Sequence, residues 1–311
     1  MDAWGNFWEK GHSTTFGEYY SDGYTKGYIA QWWTAILNSA DAKDLHILEV
    51  GCGNASLLPC LLDQRVKGSY TGVDAAEVRL SEAVKKRANA ELKINLKGGL
   101  GIEKFDSETQ FDLIASVYGL EYSPLDQSLP LLRKLLAPKG EANFLMHHSG
   151  SVITEMSAKA LGEFDFESME SVVSQLKAIN SELNSHAGDS AKLQQSSVAH
   201  AARDSVNEFV SLVMDAGPEE RNPISVDFAK AALSYFKKLR LSEADRKTYI
   251  DGILVDFHSS KERFRQMVDV ARNEEQIKEF EQQLAAAGFT NVTAKPLLKD
   301  GAPVAWNIKA K

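Results

Sequence analysis

Apolar and polar positions fall into short alternating blocks from residue 45 onward. Apolar runs of strand length occupy 45–50, 69–74, 92–97, 111–117 and 141–147. Stretches near 55–64, 76–89 and 125–136 carry helical signals between them. This strand–helix repetition predicts a parallel sheet with helices on both faces. After Ser151 the strands stop, and residues 152–272 carry helical signals only. Phe209, Leu212 and Val213 share one predicted face; Phe228, Ala231, Ala232 and Phe236 share another. Ser242 with Asp245 three residues on resembles a capping box. The stretch 180–205 is weakly apolar and is expected to be mobile or exposed in part. A helix over 274–287 then ends at Gly288, a C-cap. Strands 289–297 and 303–310 follow, joined by the turn KDGA. A turn that short permits only antiparallel pairing.

The first 33 residues have a different character. Ten of them are aromatic, with glycines at 5, 11, 17, 23 and 27 in between. No long helix is expected before residue 25. A helix over 25–38 would place Tyr28, Ile29, Trp32, Trp33 and Ile36 on one stripe. Composition changes this picture little: 43% of residues are apolar and 25% charged, as in ordinary globular chains. No apolar run is long enough for a membrane span, and the first residues lack the pattern of a secretory signal. Cys52 and Cys60 lie around a glycine-rich turn that a disulfide would distort. Free thiols in a reducing cytoplasm are therefore expected. The net charge of -8 argues against a large nucleic-acid footprint.

The chemistry concentrates in LHILEVGCGNA, residues 45–55. A buried strand bearing Glu49 breaks into Gly51 and Gly53, and Asp74 ends the next apolar run, SYTGVD. Strand, glycine turn, helix and an acid ending the second strand make one mononucleotide-binding half of a doubly wound sheet. The pattern GxGxxG would need glycine at 56, where Ser56 stands, which weakens a nicotinamide reading. A carboxylate at Glu49 would instead hold a cationic amine or organise the turn.

ExGxG together with a C-terminal antiparallel hairpin resembles the class I S-adenosylmethionine-dependent methyltransferases. The resemblance covers about 45–150 and 274–311. It implies a Rossmann-like α/β fold of seven strands with the last strand antiparallel, here with a large helical insertion after the fifth strand. It implies S-adenosylmethionine as cofactor, with Glu49, Gly51, Cys52 and Gly53 forming the first motif and Asp74 binding the ribose hydroxyls. Ala55 stands where the family often has glycine. No acid follows the third strand before Asp106, so Gly99 and Leu100 are the implied adenine contacts. Val117, ending the fourth strand, is added to the donor set, and so is Tyr20 if the aromatic segment is a lid over the cofactor and acceptor; the other reading of that segment is an extra layer packed on the sheet or the helical block. Asp112 matches a common family position, with a structural role as the alternative.

Ligands of open α/β sheets bind beyond the carboxyl ends of the strands. Tyr118 and Glu121 stand past the fourth strand, and His147 and His148 past the fifth. These four are the candidate catalytic residues. A histidine there can serve as a base near neutral pH, and Glu121 can orient an amine or hydroxyl. Adjacent histidines suit one shared metal site poorly, so no metal is expected. The pairs at Lys85–Lys86 and Lys237–Lys238 are expected to be solvated helix faces. The expected organisation is an aromatic cap segment over 1–40, a methyltransferase core over 41–151 and 273–311, and a substrate cap over 152–272. The expected reaction is methyl transfer to O or N of a small organic acceptor. A donor-binding but catalytically silent partner subunit, and an enzyme acting on tRNA or protein, are the alternatives. A homodimer is compatible with the insertion serving as an interaction surface.

Overall fold

In the computed structural model, described over residues 3–15, 23–40, 44–88, 91–217 and 220–311, seven strands form one sheet. They are β1 (Leu45–Val50), β2 (Gly68–Val73), β3 (Leu92–Lys97), β4 (Phe111–Val117), β5 (Leu136–Met146), β6 (Thr293–Lys299) and β7 (Ala302–Ala310). Their order is β3-β2-β1-β4-β5-β7-β6. The first five are parallel, whereas β7 runs antiparallel to both β5 and β6. The strand order reverses between β1 and β4, which pair directly. In a doubly wound sheet that reversal opens a crevice at the carboxyl ends.

Side chains alternate across the sheet and build two cores. Ile47, Tyr70 and Leu145 point to the face covered by α2 (Gly27–Ser39) and α3 (Leu58–Asp63). Leu48, Ile114 and Phe144 point to the face covered by α5 (Leu125–Leu135) and α12 (Glu274–Ala286). The predicted stripe of α2 is largely realised: Ile29, Trp32, Trp33 and Ile36 are all buried. A short helix, α1 (Ala3–Glu9), forms in the segment where no long helix was expected.

Several boundaries differ from the sequence reading. The helix expected from 55 begins only at Leu58, because Ala55 has φ +62° and cannot sit inside a right-handed helix. The helix expected over 76–89 shrinks to α4 (Glu82–Arg87), capped by the Ser81 hydroxyl. Residues 76–79 are committed elsewhere: the Ala76 amide donates to Asp74, and the Arg79 amide to Asn54. β5 starts earlier than predicted, at Leu136, and β6 starts later, at Thr293, because Thr290 is bonded to Lys311 instead. His147 thus lies just outside its strand.

Two compact units divide the chain: residues 1–156 with 266–311, and residues 157–265. The second is helical, with the end of α6 (Val152–Leu161), α7 (Phe166–Ser185), α8 (Ser190–Leu193), α9 (Ser197–Met214), α10 (Pro223–Phe236) and most of α11 (Glu243–Val270). Met169, Val172, Leu176, Val206, Phe228 and Tyr235 form its core. Arg246 is buried within it, donating to Asn180 and Asn184. The stretch 180–205 is largely helical rather than loose, with many exposed side chains. Leu212 falls outside the buried stripe of α9 (Ala199, Ala202, Val206) and is 76% exposed. Lys238 is not simply solvated, since its ammonium lies 4.7 Å from the centre of the Tyr249 ring. The Ser242–Asp245 pair does close on itself, with Ser242 donating to the Asp245 carboxylate and accepting from its amide.

Candidate active site

The glycine turn after β1 sits at the point where the strand order reverses. Gly51 has φ +67°, and a β-carbon on it would lie 2.6 Å from the Gly119 α-carbon. Two backbones therefore touch there, one leaving β1 and one leaving β4. Ser116 ties the same ends together, donating to the Val50 carbonyl at 2.7 Å and accepting from the Leu120 amide at 2.9 Å. Asp74 stands behind the turn. Its carboxylate accepts from the Gly53 amide at 2.7 Å and from the Ala76 amide at 2.8 Å. These two amides fix the direction in which the carboxylate points. Leu100 and Gly99 are laced to the same corner, donating to the carbonyls of Asp74 and Ala76.

Glu49 lies under the turn and is buried. It accepts a short hydrogen bond from the Tyr70 hydroxyl. Burial pushes its pKa up to about 8, against the Tyr70 hydrogen bond, which lowers it. At neutral pH it is mostly uncharged, which supports the second of its two roles, organising the turn. Cys52 is buried beside it, and desolvation raises its thiol pKa well above the ordinary range.

Past β4 and β5 the aromatic and titratable groups gather. Tyr118 has φ +55°, a left-handed conformation unusual for a side chain of that size. Its ring stacks on His147 at 4.5 Å, and its hydroxyl bonds to the Tyr28 hydroxyl and the Val304 carbonyl. Glu121, in the 3-10 turn Leu120–Tyr122, is buried and accepts from the His147 amide at 3.0 Å. Its other oxygen has no partner among the described residues. Burial lifts the Glu121 pKa to about 7, opposed by backbone hydrogen bonds and by the Arg272 charge. His147 is buried, shares a 3.1 Å hydrogen bond with the Tyr122 hydroxyl, and is held neutral by desolvation, its pKa lowered to about 3. His148 is half-buried and stacks on Trp306 at 4.5 Å. Arg272 closes this side: its amide donates to the His147 carbonyl, and its carbonyl accepts from Ser149 and from the Trp306 indole.

The structure thus brings Gly51, Gly53, Asp74, Gly99 and Leu100 to one corner, with Glu49 and Cys52 beneath. Val117 ends β4 in the adjoining core. Tyr118, Glu121 and His147 form a second cluster, joined to the first by the Gly51–Gly119 contact. Tyr20 lies outside the described residues, as does Tyr19. Asp112 belongs elsewhere: it accepts from the His46 amide at the opposite, entering end of β1. Sequence reasoning missed Trp8, Asn54, Arg79 and Arg272. Trp8 alone had a signal, the aromatic density of its segment. Among the described residues no cluster of three His, Cys, Asp or Glu forms a metal site. No helix of the described residues is long and apolar enough to cross a membrane.

Residues 47–140 match a family model described as a methyltransferase domain. No curated protein matches the chain. Among solved structures, the CMeT domain of the citrinin polyketide synthase aligns at 12% identity and TM-score 0.40, covering 91% of this chain and 50% of its own. An S-adenosylmethionine-dependent methyltransferase from Mesorhizobium loti aligns at 19% identity and TM-score 0.30, over 39% of this chain and 55% of its own. The glycopeptide N-methyltransferase MtfA with sinefungin aligns at 14% and 0.30, over 40% and 56%. The chain therefore spans about half the length of the solved structures it matches. The matched residues run from β1 into β5 and include the glycine cradle and the Asp74 behind it, so this part of the sheet is similar to a methyltransferase domain.

Proposed function

We propose that this protein transfers the methyl group of S-adenosylmethionine to an oxygen or nitrogen of a small organic acceptor. When bound, the sulfonium supplies an activated methyl group for in-line attack. Asp74 then takes the ribose hydroxyls, and the backbone at Gly51 and Gly53 lets the donor approach closely. Gly99 and Leu100, held against Asp74, suit the adenine side. Alignment of two reactants is worth about 7–11 kcal/mol of barrier, which is why few catalytic groups are needed.

Glu121 carries the reading on the acceptor side. It is a buried carboxyl beside the donor turn with a free oxygen among the described residues and a pKa near neutrality. Such a group can take a proton from an attacking hydroxyl, or from an ammonium so that the free amine can attack. His147 and Tyr118 position it: the His147 amide holds one oxygen, and the Tyr118 ring braces the His147 imidazole. His148, stacked on Trp306, is a rim residue in this scheme. Two buried free thiols suit a reducing cytoplasm.

The test is transfer of labelled methyl from S-adenosylmethionine to a panel of small phenols, alcohols and amines, with tRNA and protein as parallel acceptors. The reading expects transfer to a small acceptor and a rate that rises with pH through about 7, as Glu121 loses its proton. Glu121→Gln should lower kcat by roughly a hundredfold or more and abolish that inflection. Transfer only to a macromolecule, or donor binding without any transfer, would contradict it.

A further inference from the structure

The N-terminal helix meets both halves of this site. Trp8 lies on the glycine turn: a β-carbon on Gly53 would be 2.6 Å from its Cζ2 and 2.7 Å from its Cη2. The indole therefore rests against the glycine's α-carbon. One turn back along the same helix, Trp4 packs its ring edge-on to Tyr122 at 5.6 Å, and Trp4 and Trp8 stack at 6.5 Å. Tyr122 is the residue hydrogen-bonded to His147. Residues four apart share a helix face, so one face of α1 links the donor turn to the acceptor cluster.

The attachment is polar and specific. Asn54, the residue after Gly53, donates to the carbonyls of Trp8 at 3.1 Å and His12 at 2.8 Å. Ser56 donates to the Ser13 carbonyl. Arg79 donates its guanidinium to the Glu9 carbonyl at 2.8 Å, while its amide donates to Asn54. Both Asn54 and Ser56 are buried. The loop that carries the glycines thus uses its own side chains to hold residues 8–13. A seven-residue helix is far too short to be stable alone. α1 is helical because it is docked, and its docking surface is the donor turn itself.

We propose that α1 is a wall of the methyl-donor site, with Trp8 a donor-binding residue at Gly53 and Trp4 the link to Tyr122. This rests on the donor-site reading above. It makes occupancy of the donor turn and order in α1 mutually dependent, since each supplies surface to the other.

The test uses S-adenosylhomocysteine, the demethylated product form, with the full chain, by calorimetry and amide hydrogen exchange. In the wild type, adding it should slow exchange across residues 5–11. Trp8→Ala should weaken affinity at least about tenfold, and Trp8→Phe should recover most of the loss. Unchanged affinity in Trp8→Ala together with unchanged exchange in the wild type would overturn the assignment. Tighter binding by Trp8→Ala would overturn it as well, since the indole would then be a plug. A wild type that binds no S-adenosylhomocysteine would overturn the donor-site reading and this one with it.

Discussion

Glu49 shows how one residue of the motif works. Its neighbours on β1 and β2 remove it from water, and the Tyr70 hydroxyl alone answers it among the described side chains. With a folded-state pKa of about 8 against the usual 4.5, the folded chain holds this proton more tightly than the unfolded chain. The stabilisation is complete below about 4.5 and is lost as pH rises through about 8. Glu49→Gln keeps an acceptor for Tyr70 and cannot ionise. Its melting temperature relative to wild type should therefore climb as pH is raised from about 5 to about 9. A constant difference across that range would contradict the account. His147 slopes the other way, losing stability as pH falls from 6.5 toward about 3. The sequence displayed Glu49 and Asp74 plainly, because a strand-end acid at fixed spacing is a local pattern. It did not display Tyr70 as the partner of Glu49, nor Trp8 on Gly53. Those contacts join residues 21 and 45 apart, and only the closed fold makes them neighbours.

At the scale of elements, the close contact of two turns decides the geometry. Gly51 and Gly119 allow the ends of β1 and β4 to meet with no side chain between them. Gly51→Ala would add a β-carbon 2.6 Å from another backbone, at φ +67°. The left-handed strain alone costs about 1–2 kcal/mol, and the clash adds to it. The variant should unfold at lower denaturant by at least that amount and should bind donor poorly. Wild-type stability would show the two turns to be further apart. Strands were the most legible elements here, and the apolar runs of β1, β4 and the second half of β5 are buried on both faces. The helices after β1 and β2 were legible as well, but their starts were not. Their first turns give up backbone groups to the loops around Asp74, and propensity carries no record of that demand. The short helix α1 was invisible for a related reason: it depends on a surface far away in sequence.

At the scale of the whole molecule, the order of strands was written in the sequence through connection length. Long helical crossovers imposed parallel pairing, and KDGA imposed an antiparallel end, as β6 and β7 confirm. The helical stretch was equally visible, as 120 residues without a strand signal. Its apolar stripes, however, describe only its own core, and carry no code for an acceptor. The donor is therefore the part of the chemistry on which the chain speaks most clearly. A ligand that binds only the folded state stabilises it by about 2.7 kcal/mol at a hundred times its Kd, so S-adenosylhomocysteine should also raise Tm. The most direct measurement is calorimetric titration of S-adenosylhomocysteine into the wild type and into Asp74→Ala. The account predicts micromolar binding by the wild type. It predicts a loss of about 2 kcal/mol, roughly thirtyfold, on removing a charged hydrogen-bonding group. Equal affinity in the two chains would contradict it.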